Sequence, residues 1–220
     1  MLISQRAKRR LLNHFFILLM SLTTAAIIYA VLFYFYAEPQ RRIFRLSLTT
    51  AYISVILLAA TLSFGAWNIF RRRVNPVSSD LRRDLGIWCG IFSLTHTLFG
   101  LNVHLQNWTQ YFINDSGHFL TDAFGFANYT GVLAALIMIA LLITSNDISI
   151  RRLGRGRWKM VQRWNYVFAL LVAFHGFVYQ FVEKRLLPYG FLFGTIVLWI
   201  IIIQFAGFWM KRREMKNSDK

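Results

Sequence analysis

Polar and apolar positions along this chain separate into long blocks rather than alternating with a helical or strand period. Six apolar runs stand out: His14 to Tyr36, Leu46 to Phe70, Leu85 to Leu105, Tyr129 to Thr144, Val161 to Val182 and Leu187 to Met210. A run of roughly 18 apolar residues crosses a hydrocarbon core of about 30 Å as a helix. The pattern therefore predicts an all-α integral membrane protein, a bundle of six transmembrane helices. The first run exceeds the usual apolar core of a cleaved leader, and no clear small-x-small site follows it, so it reads as a retained signal anchor.

Charge gives the bundle a direction. Basic residues cluster at Arg6, Lys8, Arg9 and Arg10, at Arg71 to Arg73 with Arg82 and Arg83, at Arg151, Arg152, Arg155, Arg157 and Lys159, and at Lys211 to Arg213. The stretch from Gln106 to Asn128 has no Lys or Arg and carries Asp115 and Asp122. Positively charged loops stay on the cytoplasmic side. Both termini and the second and fourth connections are therefore expected in the cytoplasm, and the 106–128 connection outside. The basic group Arg41, Arg42 and Arg45 on a short outer connection runs against this but does not outweigh the rest. The expected location is the plasma membrane, the inner membrane of a bacterium, with lipid as the first partner.

Composition agrees. Of 220 residues, 56% are hydrophobic and 15% charged, and mean hydropathy is +0.46; a soluble domain carries about 25% charged residues. The net charge of +16 would suggest nucleic acid in a soluble protein, but in this setting it marks topology, and no nucleic-acid partner is expected. The single cysteine, Cys89, excludes an internal disulfide and a cysteine-based cluster. No connection is long enough to bury a core of its own. No repeat, phosphate-binding glycine loop or dinucleotide-binding unit is present.

Ionisable side chains inside a span are costly and mark function by default. Two histidines lie deep in apolar runs, His96 in the third and His175 in the fifth. His96 is fourteen positions past Arg82, and His175 thirteen past Gln162. At about 1.5 Å per residue both sit roughly 20 Å along parallel helices, nearer the outer face. Neutral imidazole ligates iron well, so two rings at one depth can meet the two axial positions of one heme iron. The same rings can instead be hydrogen-bonded to neighbouring helices, as lone membrane histidines often are.

Several stretches resemble the ferric-reductase-like transmembrane domain, the family of NADPH oxidase and ferric reductase membrane parts and of the MsrQ subunits. They are Arg82-Arg83-Asp84-Leu85-Gly86-Ile87-Trp88-Cys89, Leu94-Thr95-His96, Tyr129-Thr130-Gly131-Val132, Ile143-Thr144-Ser145, Ile150-Arg151-Arg152-Leu153-Gly154, Arg157-Trp158, Asn165-Tyr166-Val167 and Phe174-His175-Gly176. Phe126-Ala127-Asn128-Tyr129 stands where MsrQ has a Lys-Arg-Pro-Tyr-like stretch, so the resemblance is to the family rather than to that branch.

The resemblance implies one domain over residues 1–220, with its core at about 46–184 and heme held between the third and fifth spans. It makes His96 and His175 the ligands of the outer heme. The family's second pair, one layer lower, corresponds to Arg82 and Gln162 here, and neither is a serviceable ligand. One b-type heme per chain is expected, in an oxidoreductase membrane subunit with a soluble or periplasmic redox partner. A lone outer heme needs a relay beneath it. A flavin (FMN or FAD) or a quinone in contact with Arg82, Arg83, Gln162 and Arg163 would serve, although topology anchoring alone also accounts for the arginines. An arginine can also pair with a heme propionate. His104 and His118, with Asp115 and Asp122, are weaker candidates for an outer metal or substrate site. The competing expectation is a non-redox polytopic protein, a small transporter or an assembly factor, that has lost heme.

Overall fold

In the computed structural model, residues 4–71, 76–103, 107–182 and 187–218 are described. Arg72, Arg73, His104 and Leu105 of the sequence reading fall outside them. Helix α1 (Gln5–Phe35) starts at Ser4, whose hydroxyl accepts the Ala7 amide hydrogen at 3.2 Å. A 3₁₀ turn (Pro39–Arg41) leads into α2 (Arg42–Phe70), and α3 follows (Pro76–Leu101). The connection from α3 to the next span holds a 3₁₀ turn (Trp108–Tyr111) and an isolated antiparallel bridge between Ile113 and Phe119. Helix α4 (Ala123–Thr144) begins six residues before the apolar run, because the Asp122 carboxylate caps it through the Gly125 amide at 2.8 Å. Helix α6 (Trp164–Phe177) ends in a π-helical turn (Val178–Val182), and α7 (Leu187–Ser218) closes the chain. Among the described residues there is no strand.

The fourth connection, expected as a basic loop, is a helix, α5 (Asp147–Gln162). Asn146 caps it by accepting the Ser149 amide at 2.8 Å, and Asp147 lies in its first turn, where a negative charge suits the helix dipole. Gly154 breaks it at φ 73°. The arginines of α5 point outward and none of its residues is buried.

Among the described residues, five helical stretches are long and apolar enough to cross a bilayer: Gln5–Phe35, Pro39–Phe70, Ala123–Thr144, Asp147–Val182 and Tyr189–Arg213. Helix α3 falls short of that measure, since Asp84, Ser93, Thr95, His96 and Thr97 dilute it. It nevertheless packs along α2, and Asp84 and Cys89 are its most buried side chains. The fold is apolar on the outside, with Leu98, Leu170 and Phe205 at least 65% exposed, as a lipid-facing surface requires. Its centre is α2, whose Ile53, Leu57, Leu58 and Leu62 meet Leu85 and Cys89 of α3, Met138 and Leu141 of α4 and Phe168 of α6.

Pairing within the bundle is uneven. Helix α3 runs along α2, and α6 runs along α4. Helices α3 and α4 meet closely where Gly90 approaches Leu142; a Cβ at residue 90 would lie 2.6 to 2.8 Å from that leucine's side chain. Outward of this contact, α3 and α6 face each other across a space.

Candidate functional site

His96 and His175 are brought together across that space. Their ring centres are 6.2 Å apart and their planes cross at 75°. Each ring is oriented by a backbone carbonyl of a neighbouring helix. His96 Nδ1 lies 2.9 Å from the Ser47 carbonyl oxygen on α2, with the Ser47 hydroxyl at 3.2 Å. His175 Nδ1 lies 2.8 Å from the Ala127 carbonyl oxygen on α4. A carbonyl only accepts, so Nδ1 carries a hydrogen and donates it. A histidine held in this way can offer its other ring nitrogen to a metal. Gly131 makes room for it: a Cβ there would stand 2.8 Å from His175 Nδ1 and 2.9 Å from Cε1.

The two rings line a cavity of about 1280 Å³, counted out to its mouth. Val55, Ala134, Phe168 and Val172 make its inner walls apolar. Two buried polar atoms in the wall, Ser93 Oγ and Gln180 Oε1, have no hydrogen-bond partner among the described residues. The π-helical turn that starts three residues after His175 carries Tyr179 and Gln180, both of which line this cavity, and such turns recur at functional sites.

A second cavity, about 1260 Å³, lies beneath the first, nearer the basic end of the bundle. Arg82, Arg83, Gln162 and Arg163 all line it, so the four inner residues singled out in the sequence do converge. Lys159 and Trp158 complete its polar side. Gln162 Nε2 donates to Thr144 Oγ1 at 3.2 Å. The Arg82 guanidinium lies over Gly65, where a Cβ would be 3.2 Å from its Cζ. Arg83 Nη1 pairs with Asp147 Oδ1 at 2.6 Å, while its buried Nε and Nη2 lack a partner among the described residues.

One cluster escaped the sequence reading. Asp84, fully buried, accepts Arg10 Nη2 at 2.7 Å, Arg10 Nε at 3.0 Å and Asn13 Nδ2 at 3.1 Å, with His14 Nε2 at 3.4 Å. Trp88 Nε1 donates to His14 Nδ1 at 3.1 Å. Asp80 binds Arg6 at 2.8 Å and Arg9 at 3.1 Å. The Arg6 hydrogen bond, supported by Arg9, holds the Asp80 carboxyl below its ordinary range against the opposing effect of burial. The carboxylate of Asp84 inside an Arg-Arg-Asp run was the available signal, but its partners lie more than 70 residues away.

The outer candidates among the described residues do not assemble. His118 and Asp115 are exposed and Asp122 is used as a helix cap; no group of three metal-ligating side chains gathers among the described residues.

The sequence matches the model of the ferric reductase like transmembrane component over residues 50–173. That is more than half of the chain, from α2 into α6, and it includes His96. The protein-methionine-sulfoxide reductase heme-binding subunit MsrQ of Yersinia pseudotuberculosis serotype O:1b (strain IP 31758) is 27% identical over 158 residues, 71% of either chain. The subunit of the same name from Yersinia pestis (strain Pestoides F) is 27% identical over 158 residues, 71% of this chain and 70% of the relative.

Proposed function

Because this chain belongs to the ferric reductase like transmembrane component family, we propose that it holds one b-type heme between α3 and α6, the third and fifth spans, and carries electrons within the membrane for an oxidoreductase system. His96 and His175 would hold it through their imidazole nitrogens. The single observation that carries this reading is the separation of their rings. An iron with a ligand nitrogen about 2 Å away on each side, and about 1.1 Å from each nitrogen to its ring centre, sets the centres roughly 6.3 Å apart. The two rings stand 6.2 Å apart before any group is placed between them. Three further features support it. Both Nδ1 atoms are engaged, which assigns ligation to Nε2, the cavity that both rings line has apolar inner walls, and Ser93 and Gln180 offer polar atoms to a bound group. The Yersinia relatives are named heme-binding subunits.

Heme iron supplies a one-electron couple between ferrous and ferric states. The chain's residues do the rest: Ser47 and Ala127 aim the imidazoles, Phe168 and its neighbours exclude water, and the bundle fixes the ligand spacing. The inner cavity takes the relay that a lone outer heme needs, a flavin or a quinone, against Arg82, Arg83, Gln162 and Arg163. The basic end faces the cytoplasm of a bacterial inner membrane, and a soluble or periplasmic partner meets the other end.

A dithionite-reduced minus oxidised spectrum of protein expressed with ample heme tests this. B-type Soret and α bands are expected, and His96→Ala and His175→Ala should each lose most of the bound heme. Absent bands, or unchanged retention in both variants, would sink the assignment and leave a non-redox membrane protein.

A further inference from the structure

The outer wall of the histidine cavity is thin. Tyr111, Phe112 and Tyr179 line it. Behind Phe112, 6.5 Å from centre to centre, stands Trp108, which is 64% exposed. At the Trp108–Tyr111 turn the wall is thus two aromatic rings deep, Phe112 on the cavity side and Trp108 on the exposed side.

The same turn is reached by a file of rings from the ligand side. The Tyr179 ring is 4.9 Å from that of His175, Phe124 is 5.9 Å from Tyr179, and Tyr111 is 6.0 Å from Phe124, stacked at 21°. Phe112 follows at 6.5 Å. Hydrogen bonds lock the file. Tyr179 Oη donates to Asn128 Oδ1 at 2.6 Å, Asn128 Nδ2 donates to the Tyr111 carbonyl oxygen at 2.9 Å, and Tyr111 Oη donates to the Gly100 carbonyl oxygen at 2.7 Å. Tyr111 and Asn128 are buried, which separates these residues from the lipid-facing aromatic belt of an ordinary membrane protein. Both phenols donate to amide or carbonyl oxygens, which do not take up a proton.

We infer that electrons leave the cavity through the Trp108–Tyr111 turn and pass to a positively charged, soluble one-electron oxidant at the exposed face of Trp108. This rests on the heme reading above. The step moves one electron: ferrous iron becomes ferric, the oxidant is reduced by one electron, and no proton or bond is transferred. The sign of the oxidant follows from the 106–128 stretch, which has no Lys or Arg and exposes Asp115 and Asp122.

The test uses the heme-loaded full chain in lipid nanodiscs, prereduced and mixed with hexaammineruthenium(III) or ferricyanide while heme absorbance is followed. Charges interact over only about 10 Å at 0.1 M salt, so a charge placed at the exit acts and one placed elsewhere does not. Trp108→Asp should be reoxidised at least about three-fold faster than Trp108→Lys by the cationic oxidant, with the order reversed for ferricyanide. The same two changes at exposed Gln40, on the other outer connection, should leave both rates within two-fold. A second readout needs no electron transfer. In chain labelled with fluorotryptophan, the Trp108 resonance, identified by its loss in Trp108→Phe, should shift or broaden when ferric heme is loaded. Equal rates at position 108, a charge effect as large at position 40, or an unmoved resonance would overturn the route while leaving the heme reading intact. A missing b-type spectrum would overturn both.

Discussion

At the scale of single residues, the site is a pair of imidazoles and the small residues that let them stand where they do. Gly131 is the sharpest case. Its Cα faces the edge of His175 so closely that any Cβ would press on Nδ1, the atom bound to the Ala127 carbonyl. Gly131→Ala is therefore expected to tilt the ring and to lower heme retention at least about ten-fold, since ligand orientation is worth 10–100-fold in metal affinity. The Soret absorbance per chain after purification reads this, with far-UV circular dichroism confirming unchanged helix; retention at the parent level would refute it. That His96 and His175 belong together was legible because an ionisable group inside an apolar run has few explanations, and their rings do meet. Gly131, Ser47 and Ala127 were not, because they act through backbone carbonyls and absent atoms on other helices, which a residue's identity does not advertise.

Among the elements, α1 and α3 are joined by ionic contacts at the basic end, and α3 owes its inner turn to them. Asp84 has no exposure and serves Arg10, Asn13 and His14 at once. Removing one member of a buried ion pair typically costs 3–5 kcal/mol, because the other is left unpaired. Arg10 keeps 22% exposure and water can reach it, which places the loss toward the lower end, at about 3 kcal/mol. Asp84→Ala should lower the thermal unfolding midpoint in detergent clearly, and an unchanged midpoint would refute the latch. Asp80 adds a pH dependence of known sign. Its folded-state pKa is depressed, so its stabilisation is present above the ordinary carboxylate pKa and is lost as pH falls below about 4. The midpoint of the parent protein should drop in that window, and that of Asp80→Asn should drop less. The latch was hidden in sequence by separation, and α5 by composition. A run of arginines with Gly154 and Gly156 reads as a loop, yet the Asn146 cap and inward positions such as Leu153 and Trp158 suffice to wind it.

For the whole molecule, the sequence blocks foretold an all-helical membrane bundle and a basic end, and the four inner residues do share one cavity. On the proposed reading, the number of hemes is set at this scale. Two cavities are stacked along α3, but only the outer one presents paired imidazoles; the inner one presents guanidinium groups and the amide of Gln162, itself bonded to Thr144. A pyridine hemochrome assay should give about one heme per chain. A value near two would show that another residue ligates a second iron.

The α2–α3 and α4–α6 pairs stand like two jaws beside the histidine cavity, in contact where Gly90 of α3 approaches Leu142 of α4. On the reading proposed above, what the jaws grip also keeps them from drifting apart, so a chain made during porphyrin shortage would lack its clamp load and present a loosened outer half to membrane proteases. The cell's porphyrin supply would then set how many copies survive, an inventory control that needs no separate sensor.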